Sequence, residues 1–340
     1  MLKRTGWLTA ILLIFTLYGC GPKPGATGSL VWPEPPELPR IKYVRTIASA
    51  EDIHKPAGVK LKEALLGEKT VDRVIKPYGV AVDSRGRLFV ADGGNFAVLV
   101  FNENPVGEEK YLTYLGATSP GRLASPLDVC VDDSDFVYVS DVQRNNVFVY
   151  TPDLVFHHVM GQESTFGRPA GVAYNRFNDE IIVLDSKSHD VKFFDRDGTL
   201  LRTIGGPGGD NGYFNYPTNV ACDPYGRIYI VDTMNFRIQI FDSEGNFLST
   251  FGQPDNVPGS FSRPRGIALD SEGHIYVVDA AFSNIQIFQE NGVLLLHLGS
   301  LGDTPGHFRL PAGLWFDKND YLYVADQFNR RVQVFKYIRY

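Results

Sequence analysis

The chain repeats one pattern of apolar and polar positions six times. In each copy a proline opens a short apolar strand, a polar turn follows, and a second strand is apolar at every position. A third, alternating strand ends on an aromatic residue, as in PTNVACDPYGRIYIVDTMNFRIQIF. Continuous apolarity in the second strand predicts burial on both faces of a sheet. The six copies span Pro77–Phe101, Pro126–Tyr150, Pro169–Phe194, Pro217–Phe241, Pro264–Phe288 and Pro311–Phe335.

The spacing of the copies predicts the fold class. Successive prolines are roughly 43 to 49 residues apart, which suits one propeller blade of four short strands. Six such copies predict an all-β, six-bladed β-propeller. An apolar residue three positions before each proline is expected to fill the gap between blades. These residues are Val74, Leu123, Phe166, Phe214, Phe261 and Phe308.

The two ends of the repeat region predict how the ring closes. The last copy stops soon after its third strand, so the sixth blade lacks a fourth strand. The segment Tyr43–Ala48 matches Leu200–Gly205, the fourth strand of the third blade. We therefore predict that residues near 41–48 complete the sixth blade, which removes exposed sheet edges. The domain then covers residues 41–340, with a short helix predicted within residues 59–67.

The first forty residues read as an export signal and a spacer. Residues 1–20 have a basic start, an apolar run too short to span a membrane comfortably, and Leu17-Tyr18-Gly19-Cys20, which resembles a bacterial lipobox. We expect lipidation of Cys20, with the Pro-rich residues 21–40 as an extended tether. In a host with two membranes, Gly21 after the cysteine favours the outer one. The predicted location is the bacterial cell envelope.

Charge and cysteine content exclude other classes. The formal net charge of −6 and the absence of a basic stripe argue against nucleic-acid binding. Cys130 and Cys222 occupy adjacent positions of the repeat in blades that are not neighbours, so a disulfide between them is not expected. In each copy the second strand ends in an aspartate, and we interpret these aspartates as turn-forming groups. They are Asp92, Asp141, Asp185, Asp232, Asp279 and Asp326.

The consensus GxFxxPxGVAVDxxGRIYVVDxxNxRIQIF resembles the NHL repeat, and the resemblance covers residues 41–340. With its export signal, the chain resembles a bacterial NHL-repeat lipoprotein. That resemblance implies a propeller with its long inter-blade loops and second-to-third-strand loops on one face. Some relatives are lyases or lactone hydrolases and others are binding platforms, so the fold does not fix a function.

Candidate site residues lie directly after the repeat prolines, at the expected mouth of the central channel. This position varies between copies, as converging ligand groups require, whereas residues that maintain the fold repeat. The next position is glycine in most copies but Asp128 and Asn219 in two, and tolerance of a left-handed backbone is the competing explanation. The predicted ligand or partner surface comprises Tyr78, Asp128, Thr218, Asn219 and Arg265.

The sequence indicates no catalytic set. None of the six residues after the prolines is histidine, and the seven histidines occupy unlike positions, so we expect neither a metal site nor a cofactor. The leading hypothesis is a non-catalytic platform that binds an envelope protein, a peptide or a glycan. The alternative is an enzyme of the lyase or lactonase kind with its active site at the channel mouth.

Overall fold

The computed structural model describes residues 30–55, 72–162 and 164–340, and it confirms the all-β, six-bladed propeller. Every blade is an antiparallel sheet whose first strand lies innermost. The first blade contains β3 (Pro77–Val82), β4 (Leu88–Asp92), β5 (Ala97–Phe101) and β6 (Leu112–Leu115). The second contains β7 (Pro126–Val131), β8 (Val137–Asp141), β9 (Asn146–Tyr150) and β10 (Phe156–Met160). The third contains β11 (Pro169–Asn175), β12 (Glu180–Asp185), β13 (Asp190–Phe194) and β14 (Leu200–Gly205).

The remaining blades follow the same order. The fourth contains β15 (Pro217–Cys222), β16 (Ile228–Asp232), β17 (Arg237–Phe241) and β18 (Phe247–Phe251), with a 3-10 turn at Thr233–Asn235. The fifth contains β19 (Pro264–Leu269), β20 (Ile275–Asp279), β21 (Asn284–Phe288) and β22 (Leu294–Leu298). The sixth contains β1 (Val31–Trp32), β2 (Ile41–Ile47), β23 (Pro311–Phe316), β24 (Tyr321–Asp326) and β25 (Arg331–Tyr337). A second 3-10 turn, Ala50–Asp52, follows β2.

The N-terminal strand closes the ring as predicted. Strand β2 pairs antiparallel with β25, from Ile41 opposite Tyr337 to Ile47 opposite Val332. Strand β1 then adds a fifth strand outside β2. The ring of Trp32 in β1 lies edge-on to Phe335, with 5.7 Å between centroids. The ordered part of the sixth blade therefore extends into the segment assigned to the tether.

The core lies between the blades, because each sheet buries both of its faces against its neighbours. Six apolar clusters fill the six gaps. The apolar residue three positions before each proline belongs to one of these clusters and is only 0% to 4% exposed, as predicted. Phe261, for example, packs its ring 5.5 Å from that of Phe288. These side chains join successive blades into one ring.

The aspartates that end each second strand have a structural role. Asp232 is fully buried and accepts a hydrogen bond from the backbone N–H of Asn215 at 2.7 Å. It also accepts from Asn235 and Arg237, each at 2.8 Å. The carboxylate thus fixes its own turn, as predicted, and also the segment that precedes the innermost strand of its own blade.

Several predictions concern residues outside the described ranges. The signal residues, Cys20 and the helix predicted within 59–67 lie there.

Cys130 and Cys222 are both free thiols. In the described parts of the chain, no helix has the length and apolar composition needed to cross a membrane.

Candidate functional site at the channel mouth

The two faces of the ring follow from strand direction. In every blade the proline that begins the first strand pairs with the aspartate that ends the second, as Pro77 does with Asp92. The loops before the first strand and between the second and third strands therefore lie on one face, which we call the loop face. The turns between first and second strands, and between third and fourth strands, form the opposite face.

Tyr78 and Arg265 meet at the centre of the loop face. They come from the first and fifth blades, and the sixth blade between them presents only the methyl group of Ala312 at this position. The guanidinium carbon of Arg265 lies 5.7 Å from the ring centroid of Tyr78, within the range of a cation–π contact. Burial raises the pKa of Tyr78, although Arg265 opposes that effect, and burial lowers the pKa of Arg265.

A second pair of the same kind lies beside the first. The guanidinium of Arg168 lies 5.9 Å from the ring centroid of Tyr216. Tyr216 adopts a positive φ of 58°, and its backbone N–H donates to Nδ1 of His189 at 3.0 Å. Tyr216 and Arg263 also lie close enough to affect the pKa of Arg265, which Arg263 lowers and Tyr216 raises. The mouth therefore combines two aromatic rings with several cationic side chains.

The cations around the mouth have no acidic counterparts at equivalent positions. In all six blades, the two residues before the proline and the one after it include no aspartate or glutamate. Among the described residues, none of the cations at these positions forms an ion pair with a carboxylate. These cations are Lys76, Arg168, Arg263, Arg265 and Arg309.

Asp128 and Asn219 form a crossbar beneath the mouth. The Asn219 side chain donates from Nδ2 to Oδ2 of Asp128 at 2.9 Å, linking the second and fourth blades. Asp128 also accepts from the backbone N–H of Val172 at 3.1 Å, and Asn219 Oδ1 accepts from that of Ile267 at 3.1 Å. Both side chains are about 5% exposed. They close the channel rather than project into the mouth.

The crossbar also explains the glycines at the same position in the first and third blades. A Cβ atom on Gly79 would lie 2.1 Å from Oδ1 of Asp128, and one on Gly171 would lie 2.8 Å from Cα of Asn219. Neither Asp128 nor Asn219 has a positive φ. The left-handed explanation for these two residues is therefore wrong, because close approach at the ring centre governs the position.

The carboxyl group of the crossbar has a strongly perturbed pKa. Burial raises the pKa of Asp128 to about 7, against the opposing effect of hydrogen bonds from two backbone N–H groups and from Asn219. A carboxyl group that titrates near neutrality exists as acid and base in comparable amounts. Its hydrogen bonds to Val172 and Asn219 nevertheless identify it first as part of the fold.

The space on the other side of the crossbar is a cavity with both polar and apolar lining. It measures about 190 Å³ and is lined by strand residues such as Val172, Ile267 and Leu314, together with the crossbar itself. The indole of Trp315 packs against three of the inter-blade clusters. No residue directly following a repeat proline lines this cavity. The crossbar therefore separates the mouth from the cavity.

The predicted site residues thus fall into three groups. Tyr78 and Arg265 line the mouth, whereas Asp128 and Asn219 form the crossbar. The hydroxyl of Thr218 contacts that of Thr233 at 2.7 Å and the carbonyl oxygen of Arg265 at 3.2 Å, so it positions the Arg265 backbone. Sequence reasoning missed the position before each proline. This position also varies between copies, which could have identified it from the sequence. It contributes Arg168, Tyr216 and Arg263 to the mouth.

Within residues 30–55, 72–162 and 164–340, no group of three histidine, cysteine or acidic side chains is placed to hold a metal ion.

Comparisons with known proteins identify the repeat and the fold. A family model described as a six-bladed β-propeller matches residues 210–285, and the NHL repeat model matches residues 76–101. The human E3 ubiquitin-protein ligase TRIM32 is 31% identical over 106 residues, which is 28% of this chain. The match spans only 16% of that relative's length.

Solved structures share the fold at low sequence identity. Virginiamycin B lyase from Staphylococcus aureus is 13% identical over 78% of this chain and 96% of its own, with a TM-score of 0.58. A gluconolactonase from Xanthomonas campestris is 17% identical over 87% and 98%, with a TM-score of 0.60. An auxiliary nutrient binding protein from Bacteroides thetaiotaomicron is 17% identical over 78% and 69%, with a TM-score of 0.60.

Proposed function

The chain is a six-bladed β-propeller built from NHL-type repeats, and we propose that it is a non-catalytic binding platform of the bacterial cell envelope. In this proposal Cys20 carries a lipid anchor, the Pro-rich residues that follow lead to the ring, and a protein or peptide partner docks on the loop face. The auxiliary nutrient binding protein with the same fold makes a binding role compatible with this architecture.

The observation that carries the proposal is the shape and chemistry of the mouth. Tyr78 and Arg265 form a shallow, cationic and aromatic centre that is closed from beneath by the crossbar. Exposed apolar side chains lie on the same face in loops around the ring, namely Phe96, Met234 and Phe328, which are 59%, 47% and 65% exposed. Arginine and aromatic residues surrounded by apolar side chains are typical of protein interfaces.

Quantitative co-purification tests the proposal. The chain carries a C-terminal tag, is crosslinked in intact cells and is recovered from solubilised membranes. The Tyr78→Ala/Arg265→Ala double variant should lose the stoichiometric partner while remaining folded at the temperature of the assay. The matched control is Arg176→Ala, which removes one exposed positive charge from the opposite face. If the double variant and the control recover the same proteins in the same amounts, the loop face is not the docking surface.

An enzymatic function is the second candidate, and one observation favours it. The pKa of Asp128, raised by burial to about 7, suits a general acid or base. The lyase and the gluconolactonase with this fold indicate the reaction classes to assay first. Turnover of a lactone or of virginiamycin B that disappears in Asp128→Asn would support this candidate. Turnover that persists in the variant would show that Asp128 is not the general acid or base.

A further inference from the structure

The cations around the mouth differ from the arginines of the opposite face in how their charge is balanced. On the opposite face, Arg85 pairs with Glu109 at 3.0 Å, and Arg196 with Asp133 at 2.6 Å. Arg227 pairs with Asp223 at 2.6 Å. Among the described residues, the five cations around the mouth form no such pair. The cationic side chains of the mouth therefore lack a direct carboxylate partner, on a chain whose net charge is −6.

Arg265 is the most informative of these five cations. Its side chain is half-buried, and its guanidinium group lies over the face of the Tyr78 ring. Within the described residues, no oxygen atom accepts a hydrogen bond from its guanidinium group. A guanidinium group carries five N–H donors in a rigid fork, and the nitrogens of Arg265 are not among the buried, unsatisfied polar atoms of the described residues, so they face solvent at the mouth. An oxyanion entering the mouth could replace that water and accept from the guanidinium with bidentate geometry.

We propose that the mouth binds a carboxylate from an acidic segment of the partner protein, held by the guanidinium of Arg265 beside the ring of Tyr78. This inference rests on the proposed function and specifies its ligand. Arg263 and Arg168 flank the central pair and add long-range attraction for the same charge. The carboxyl group beneath the mouth, Asp128, forms no ion pair with Arg265 among the described residues, and its Oδ2 accepts hydrogen bonds from Val172 and Asn219.

The surroundings of the mouth favour a protein segment as the source of the carboxylate. The crossbar limits the depth of the mouth, so one side chain or chain end can enter it but an extended chain cannot pass through. Phe96, Phe328 and Ile75 are exposed on the same face and offer apolar contacts for residues on either side of the acidic one.

Selection from a random peptide library tests the inference without assuming a sequence. Displayed peptides of about twelve residues are selected on the full chain solubilised from membranes, and on its Arg265→Ala and Arg176→Ala variants. Peptides retained by the unaltered chain and by Arg176→Ala should be enriched in aspartate and glutamate. The same peptides should be lost from Arg265→Ala. No enrichment of acidic residues, or equal retention by the two variants, would overturn the inference.

Fluorescence anisotropy with a selected peptide measures how much Arg265 contributes to the affinity. Arg265→Ala should raise its Kd by roughly tenfold to a hundredfold, because a hydrogen-bonded charged group is removed, whereas Arg176→Ala should leave it nearly unchanged. Arg265→Lys should restore only part of the affinity, since lysine cannot bind a carboxylate bidentately. Replacing the acidic residues of the peptide by their amides should match the loss in Arg265→Ala. A peptide whose affinity survives amidation would contradict carboxylate recognition.

The outcomes also separate this inference from the function on which it rests. If no acidic peptide binds but the Tyr78→Ala/Arg265→Ala variant still loses its co-purifying partner, the platform stands and the ligand chemistry is wrong. If oligogalacturonate binds at Arg265 and acidic peptides do not, carboxylate recognition stands but the proposed protein partner is wrong, and the inference fails. If the double variant retains the partner, the proposed function fails as well.

Discussion

Asp128→Asn tests whether the crossbar holds a buried carboxyl group at the centre of the ring. The asparagine has nearly the same shape and can still accept hydrogen bonds from Val172 and Asn219, but it does not titrate. In the folded protein, burial raises the pKa of Asp128 from 3.8 to about 7. The difference in the free energy of unfolding between the unaltered chain and the variant therefore isolates the titration of the Asp128 carboxyl group.

The sign and size of the effect follow from proton linkage. Because the folded-state pKa lies above the unfolded value, the folded chain binds the proton more tightly than the unfolded chain does. This contribution to stability is complete below about pH 4 and is lost as the pH rises through about 7. About three pH units at 1.36 kcal/mol each give a loss of about 4 kcal/mol in the free energy of unfolding.

Urea unfolding at a series of pH values measures this loss. Tryptophan fluorescence is a suitable signal, since Trp315 lies in the cavity directly beneath the crossbar. The free energy of unfolding of the unaltered chain, minus that of Asp128→Asn, should fall steadily between about pH 4.5 and about pH 7.5. A difference that stays constant across this range, or one that grows with pH, would refute the buried, hydrogen-bonded carboxyl group described here.

Three further changes test other parts of the account. Phe261→Ala should lower the free energy of unfolding by about 3–5 kcal/mol, because it empties the gap between the fourth and fifth blades; an unchanged urea midpoint would contradict that packing. Asp232→Asn should cost about 3–5 kcal/mol by leaving the buried end of Arg237 without its carboxylate, and Asp197→Asn on the exposed surface is the control in the same unfolding assay. Cys20→Ser should move the chain from the membrane fraction to the soluble fraction, and persistence at the membrane would refute lipidation at this residue.

The sequence predicted the ring and its closure because both depend on local, repeated patterns. The apolar runs fix the strands, the prolines fix the period, and the match between Tyr43–Ala48 and Leu200–Gly205 locates the closing strand. The pairing of Trp32 with the sixth blade was not predicted, since a Pro-rich segment gives no periodic signal. Packing of this kind depends on the finished surface of the blade.

The site was predicted only in part, because its contacts join residues that are far apart in the chain. Tyr78 and Arg265 could be placed at the mouth from their position in the repeat. Their contact depends on the curvature of the ring and on the small side chain between them. Asp128 and Asn219 were singled out correctly as unusual, but their bond across 91 positions depends on the width of the channel, which no local pattern encodes.

Site-specific photocrosslinking in producing cells tests the central claim most directly. A photoreactive phenylalanine analogue replaces Phe96 or Phe328 on the loop face, or Phe177, which is 60% exposed on the opposite face. All three positions are phenylalanine in the chain, so the substitutions are chemically matched. We predict one crosslinked partner from Phe96 and Phe328, and none from Phe177. The same partner from Phe177 alone, or equally from all three positions, would contradict docking on the loop face.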